Sequence, residues 1–236
     1  MIINKLTIDS SYSRTDLCEV GGYYNTDKSP YNTGWHRHPY TAIYDFLFST
    51  YRYKKINVGE IGIEGNASMK CWRTYFPNAN LYGYDYMHEK LHRASSENLY
   101  NTQYFYMDCQ DSNLINDGLS KCQDKFDILI DDASHRPIHQ IPVIKSAINH
   151  LKPGGILVIE DIFRTSITNE PVNPVAQEHG VTGANQYEPL IEPYAKYFHH
   201  ISWILADHKD RYSPEWENDG LLVLVRNNME YNEGQE

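Results

Sequence analysis

The sequence predicts an α/β protein: a mostly parallel seven-stranded sheet with helices on both faces, finished by an antiparallel C-terminal strand pair. Three observations carry this. Short apolar runs of strand length alternate five times with helix-period segments between residues 56 and 161. Glycines and carboxylates recur where those runs end, the edge at which an open α/β sheet binds ligands. After Asp161 the alternation stops, and two further strand-like runs follow with no helical pattern between them.

The elements follow in order. Residues 1–35 read as polar and irregular, with Gly21, Gly22 and Gly34 marking turns. From Tyr40, the spacing of Ile43, Tyr44, Leu47, Phe48 and Tyr51 predicts an amphipathic helix. Ile56–Ile61 is the first strand, and Met69, Trp72 and Phe76 share a helical face that stops before Pro77. Asn80–Asp85 is the second strand, with a helix-compatible stretch over 87–99, and Gln103–Met107 is the third. Leu114, Ile115, Leu119 and Cys122 mark a helix before the apolar fourth strand, Phe126–Ile130. A helix follows through Ile138, Ile141, Ile144, Ile148 and Leu151, where Pro142 forces a kink or a late start. Lys152-Pro153-Gly154-Gly155 reads as a turn into the fifth strand, Ile156–Ile159. Residues 164–195 hold four prolines and exceed an ordinary connection, which predicts a substrate lid or insertion. His200–Leu205 and Gly220–Val225 form the closing pair, and the tail from Asn227 reads as frayed.

The chain of 236 residues reads as one domain, with 1–39 as an N-terminal cap. Twenty-one Lys and Arg against 31 Asp and Glu give a net charge of −10, which argues against nucleic acid or an anionic membrane as partner. No apolar run approaches the ~20 residues of a spanning helix. Met1–Leu6 lacks the apolar core of a signal peptide. Cys18, Cys71, Cys109 and Cys122 show no CxxC spacing and are expected to stay reduced, so the expected compartment is the cytoplasm.

Gly62 and Gly65 follow the first strand and open a helix, so backbone can pass close to a ligand there. Asp85 ends the second strand, 23 residues after Gly62, where a carboxylate can accept both ribose hydroxyls. A dinucleotide site shares that Asp but wants G-x-G-x-x-G, whereas Gly62-Ile63-Glu64-Gly65-Asn66-Ala67 places a carboxylate at Glu64 that repels a pyrophosphate. S-adenosylmethionine (SAM) carries a ribose, an adenine and a cationic centre without phosphate, and suits the pattern. Asp108 and Gln110 lie where an adenine edge would sit. Asp131-Asp132-Ala133-Ser134-His135 ends the fourth strand and Glu160-Asp161 the fifth. Carboxylates gathered there invite a hard divalent cation, and His135, three residues past Asp132, can turn toward them as a general base.

Glu60-Ile61-Gly62, the Trp72–Pro77 helix end, Gly83-Tyr84-Asp85, Asp131–His135 and Ile159-Glu160-Asp161 resemble the class I SAM-dependent methyltransferases, a Rossmann-like fold. More closely they resemble the metal-dependent sugar O-methyltransferases of macrolide tailoring and the cephalosporin-hydroxylase-like group, from about Thr26-Asp27-Lys28 to Asp161. The resemblance implies Mg²⁺ or Mn²⁺ on Asp132, Glu160 and Asp161, with His135 as the base and Asp132 catalytic beside it. It implies SAM held by Glu60, Gly62, Ser68, Asp85, Asp108, Gln110 and Asp131. The implied acceptor is a sugar, in particular a nucleotide-linked sugar of polysaccharide or natural-product biosynthesis, and a homo-oligomer is compatible with it.

Blander readings compete. Any one strand-end carboxylate is as often a helix cap as a site residue. Ser134 suits a cap, His139 a helix face, and Asp27-Lys28 a turn. His36 and His38 lie in a polar stretch that favours the surface. Competing functions are a metal-assisted hydrolase, which has no use for SAM, a small-molecule N-methyltransferase, which needs no metal, and a non-catalytic SAM-fold subunit. The last gains nothing from carboxylates that repel one another.

Overall fold

The computed structural model describes residues 3–34, 36–213 and 215–230; Met1 and Ile2 of the leader reading and residues 231–236 of the frayed-tail reading lie outside the described residues. Eight strands form one sheet in the order β1-β7-β8-β6-β5-β2-β3-β4. They are β1 (Asn4–Asp9), β2 (Asn57–Ile61), β3 (Asn80–Asp85), β4 (Thr102–Tyr106), β5 (Phe126–Asp131), β6 (Leu151–Ile162), β7 (Phe198–Asp207) and β8 (Gly220–Arg226). All pairings are parallel except those of β8, which runs antiparallel to both β6 and β7. The chain reverses once across the sheet, and the carboxyl ends of β2, β3, β5 and β6 share one edge.

The strand alternation shows why both faces must be covered. Ile128, Ile130, Ile156, Val158, Leu221 and Val223 belong to one buried cluster; Leu129, Leu157, Ile159, Leu222 and Leu224, one residue out of phase, belong to another. α1 (Asp16–Tyr23), α2 (Thr41–Phe48) and α3 (Ala67–Tyr75) cover the first face through Leu17, Ile43, Tyr44, Met69 and Trp72. α4 (His88–Ser96) adds Leu91 and Ala94 to that face, while α5 (Ser112–Ser120) and α6 (Pro137–His150) cover the second.

Three expectations change. The sheet has eight strands, because β1 extends it beside β7 with Leu6 opposite Ile204. β1 is an edge strand with almost no buried side chain, and its alternation is only the short Lys5-Leu6-Thr7-Ile8-Asp9 stretch. Residues 16–23, expected to be irregular, form α1, which Thr15 caps by accepting the Cys18 N–H at 3.3 Å. The Gly21-Gly22 pair that masks this helix serves packing: a Cβ at Gly21 would come 2.9 Å from the Ser29 Cβ. The turn expected at Lys152–Gly155 is absorbed into β6 as a register shift against β5. α6 runs through Pro142.

The closing strands are antiparallel to each other as expected, though β8 lies between β6 and β7. Residues 164–195 fold as three short helices, α7 (Arg164–Ile167), α8 (Pro174–Glu178) and α9 (Glu188–Ile191). They pack on a satellite cluster of Phe163, Ala176 and Val181, and send Tyr187 and Ile191 into the main core. Asn227 is tied down by its side-chain N–H to the Lys196 carbonyl at 2.6 Å. All four cysteines are buried free thiols.

Candidate functional site

β2 leaves the sheet at Gly62, whose φ is +89°. A Cβ there would overlap the carbonyl oxygen of Asp132, which follows β5, so only glycine lets the two strand ends pass. This close approach opens a cavity of about 500 Å³ at the carboxyl edge. Gly62, Asp85, Asp108, Gln110 and Asp132 line it, as do Ser134, Arg136 and His139. Asp85 accepts the Met87 N–H at 2.8 Å, and Asp108 the Gln110 N–H at 2.9 Å, so both carboxylates are fixed from below.

Other expected cofactor residues stand behind this wall. Glu60 is fully buried and accepts the indole N–H of Trp72 on Oε2; Oε1 has no partner among the described residues. Burial pushes its carboxyl up to about 7 against the opposing pull of Lys28. Ser68, on α3, is buried near Glu60, where its hydroxyl opposes the upward push on that carboxyl. Asp131 is buried, accepts the Ala133 N–H at 3.2 Å, and is raised to about 7, again by burial. Glu64 lines the cavity but is paired with Lys90, and its carbonyl accepts from Arg93 at 3.1 Å. Its charge is therefore answered, and the repulsion of a pyrophosphate expected from it loses its basis.

Beside the cavity, Asp132, His135 and Asp161 each bring one donor atom within 4.8 Å of the others. His135 and Asp161 both take left-handed backbone, φ +56° and +57°, and their donor atoms converge with that of Asp132. His135 Nε2 stands 3.6 Å from Asp161 Oδ2. Two carboxylates and an imidazole at this spacing suit a hard divalent cation with positions left for substrate oxygens. Burial would raise Asp161, but His38, His135, Lys28 and the Tyr40 hydrogen bond hold it below the usual carboxylate range.

Glu160 does not join that group. Its Oε1 accepts from the Tyr44 hydroxyl at 2.6 Å and its Oε2 from Lys28 Nζ at 2.8 Å. Lys28 also donates to Asp132 Oδ2 at 2.5 Å. Burial pushes Glu160 well up and Asp132 to about 6, with Lys28 opposing in both.

The residues that sequence reasoning weighed and left outside the site, or read only as core, come from the N-terminal segment. Lys28 lies in the expected turn, yet it is 2% exposed and bridges two strand ends. His38 is buried, with Nδ1 3.8 Å from Asp161 Oδ1 and its ring stacked between His36 and Tyr40. The Tyr40 hydroxyl lies 2.9 Å from Asp161 Oδ1 and 3.0 Å from the Asn218 carbonyl. The available signal was apolar: Tyr40 and Tyr44 read as a core face, and they are core residues whose hydroxyls reach the site. Ser134 is hydrogen-bonded to His139 Nδ1 at 2.8 Å, and both face the cavity, where cap and helix-face roles were expected.

No family model matches the chain. Curated sequence relatives include the mycinamicin VI 2''-O-methyltransferase of Micromonospora griseorubida, 31% identical over 157 residues, 64% of this chain and 37% of that protein. The 8-demethyl-8-(2-methoxy-alpha-L-rhamnosyl)-tetracenomycin-C 3'-O-methyltransferase of Streptomyces olivaceus is 27% identical over 70% of this chain and 42% of its own length. The chain thus matches about two fifths of the length of these relatives. Among solved structures, the MycE methyltransferase in complex with Mg and SAH superposes with a TM-score of 0.64 at 23% identity, over 95% of this chain and 58% of that one. An Aeropyrum pernix fibrillarin with bound S-adenosyl-L-methionine gives 0.51 at 13% identity, over 74% and 68%. The fold is that of the class I SAM-dependent methyltransferases, and the curated relatives are O-methyltransferases of macrolide and tetracenomycin tailoring.

Proposed function

We propose that the chain transfers a methyl group from SAM to a hydroxyl of a sugar, with a divalent cation, Mg²⁺ or Mn²⁺, held at Asp132 and Asp161. The observation that carries this reading is one shared residue: Asp132 lines the 500 Å³ cavity and also belongs to the donor cluster. A methyl donor in the cavity and an acceptor on the cluster would therefore meet across a single side chain. The relatives support the acceptor class, since their names specify O-methylation, one of them on a rhamnosyl tetracenomycin. A nucleotide-linked sugar and a sugar already joined to a small-molecule scaffold are the two acceptor forms to be compared.

The residues divide the work. Asp85 holds the ribose, and Asp108 with Gln110 meets the adenine. His135 takes the hydroxyl proton as the sugar oxygen bonds to the methyl carbon and the carbon–sulfur bond breaks, leaving S-adenosylhomocysteine. Asp161 orients that imidazole from 3.6 Å. Bound at the cluster, a divalent cation supplies positive charge that acidifies the hydroxyl and fixes the acceptor. Residues 164–195 form the lid over the acceptor, and residues 1–39 a cap that delivers Lys28 and His38.

The test is incubation with SAM and a panel of nucleotide sugars and glycosylated macrolides, with and without chelator, read by mass spectrometry. A methylated sugar is expected with Mg²⁺ and lost with chelator. His135→Ala should lose about 10²–10⁴-fold in rate. Full activity in excess chelator, with Asp161→Asn as active as the wild type, would overturn the metal-dependent reading.

A further inference from the structure

Outside the roles already given, the most unusual group in the molecule is the ammonium of Lys28. It is buried, it comes from a segment more than a hundred residues away in sequence, and it lies on two carboxylates at once. Its backbone is pinned as well: the Lys28 carbonyl accepts the Thr41 N–H at 3.0 Å, and the neighbouring Asp27 carbonyl accepts the His38 N–H at 2.8 Å. The main chain that carries Lys28 is thus tied to the segment that also carries His38 and Tyr40.

We infer that Lys28 is a built-in cation that restrains divalent-metal binding at Asp132 and Asp161 and occupies Glu160 beside them. The inference rests on the proposed metal site and deepens it. Asp132, Glu160 and Asp161 bring three carboxyl groups together, and Lys28 places one positive charge between two of them. Asp132 is both a candidate ligand and the acceptor of the shorter Lys28 contact, 2.5 Å, so an incoming dication meets the ammonium's repulsion through a shared carboxylate. Glu160 has both oxygens engaged, by Lys28 and Tyr44, and is the one acidic strand-end side chain of this trio missing from the donor group. Lys28 thereby acts as a positioning residue. It sets the charge of the cluster and the number of carboxylates offered to the metal.

A purely structural lysine and a charge-setting lysine differ in one readout, the order of metal affinities across charge variants. Mn²⁺ binding, followed by electron paramagnetic resonance of the free ion on the full chain without SAM, measures it directly. Lys28→Met should bind Mn²⁺ roughly tenfold or more tightly than the wild type, because it removes a cation next to a ligand oxygen. Glu160→Gln should bind more weakly. The double variant Lys28→Met/Glu160→Gln removes one charge of each sign and should return close to the wild type. It also spares the fold the unmatched Glu160 charge, so the comparison of Glu160→Gln with the double variant survives if Lys28→Met alone does not fold.

If the wild type and the variants bind in that order, the inference and the metal reading both stand. If the wild type binds no Mn²⁺ but removal of Lys28 creates a site, the inference stands and the metal reading falls. If the wild type binds and removal of Lys28 leaves affinity equal or weaker in both backgrounds, the inference is overturned and the metal reading survives. Absence of binding in every form overturns both.

Discussion

Glu60 lies in the middle of the buried layer as a carboxylic acid whose charge the protein resists. With its folded value raised to about 7 by burial, and an unfolded value near the ordinary 4.5, the native state holds its proton more tightly than the unfolded state. The stability this contributes is fully present below pH ~4.5 and lost as pH rises through 7, to a total of about 3 kcal/mol. Asp131, raised to about 7 by burial, adds a loss of the same sign. Glu60→Gln keeps an oxygen for the Trp72 indole and cannot ionise. Urea denaturation at pH 5 and pH 7.5 should show a smaller drop in stability for the variant than for the wild type, and equal drops would refute the burial account. At this scale the sequence was legible where local position implies placement. Asp85, Asp132 and Asp161 stand at strand ends, and strand ends share an edge. Lys28, His38 and the hydroxyls of Tyr40 and Tyr44 were not legible, because nothing local says which strand end a polar loop will reach.

The element that most constrains the site is the crossing of the β2 and β5 ends at Gly62. Gly62→Ala would put a methyl group into the Asp132 carbonyl and a side chain at φ +89°. The backbone term alone costs about 1–2 kcal/mol, and the overlap is with main chain that cannot rotate away. Chemical denaturation should show a loss above about 2 kcal/mol, with SAM binding lost in whatever fraction folds; a variant as stable as the wild type would mean the strand ends can separate. Interior elements were the readable ones, since strands buried on both faces are apolar runs and their helices carry one apolar stripe. β1 and α1 escaped for opposite reasons. β1 carries only a short alternation, Lys5 to Asp9, inside a polar stretch, and α1 carries two adjacent glycines, a poor helix signature that close packing against Ser29 and Tyr31 requires.

For the whole molecule, the parallel core and the antiparallel closing pair follow from the alternation and its end at Asp161, whereas the strand order, with β1 at the edge and β8 between β6 and β7, does not. The packing of residues 164–195 does not, because short helices of four or five residues leave no period to read. If these residues close over the acceptor, limited proteolysis should cut between Thr168 and Asn173 in the free protein and more slowly with SAM, Mg²⁺ and acceptor together. Equal cutting in both conditions would count against closure. The hydrogen bonds that finish the site also have an unusual reach along the chain: Lys28 to Asp132 spans 104 residues, Lys28 to Glu160 spans 132, and Tyr40 to Asn218 spans 178. Contacts of that separation cannot form until most of the chain has left the ribosome and the central strands have paired. The nascent chain can build the β2–β5 layer, and its Gly62 crossing, while the N-terminal segment still waits for β6 and β8. Docking of Lys28 onto the Asp132 and Glu160 carboxylates is therefore among the last folding events, and a refolding experiment should see Mn²⁺ affinity fall to its native value as that contact forms.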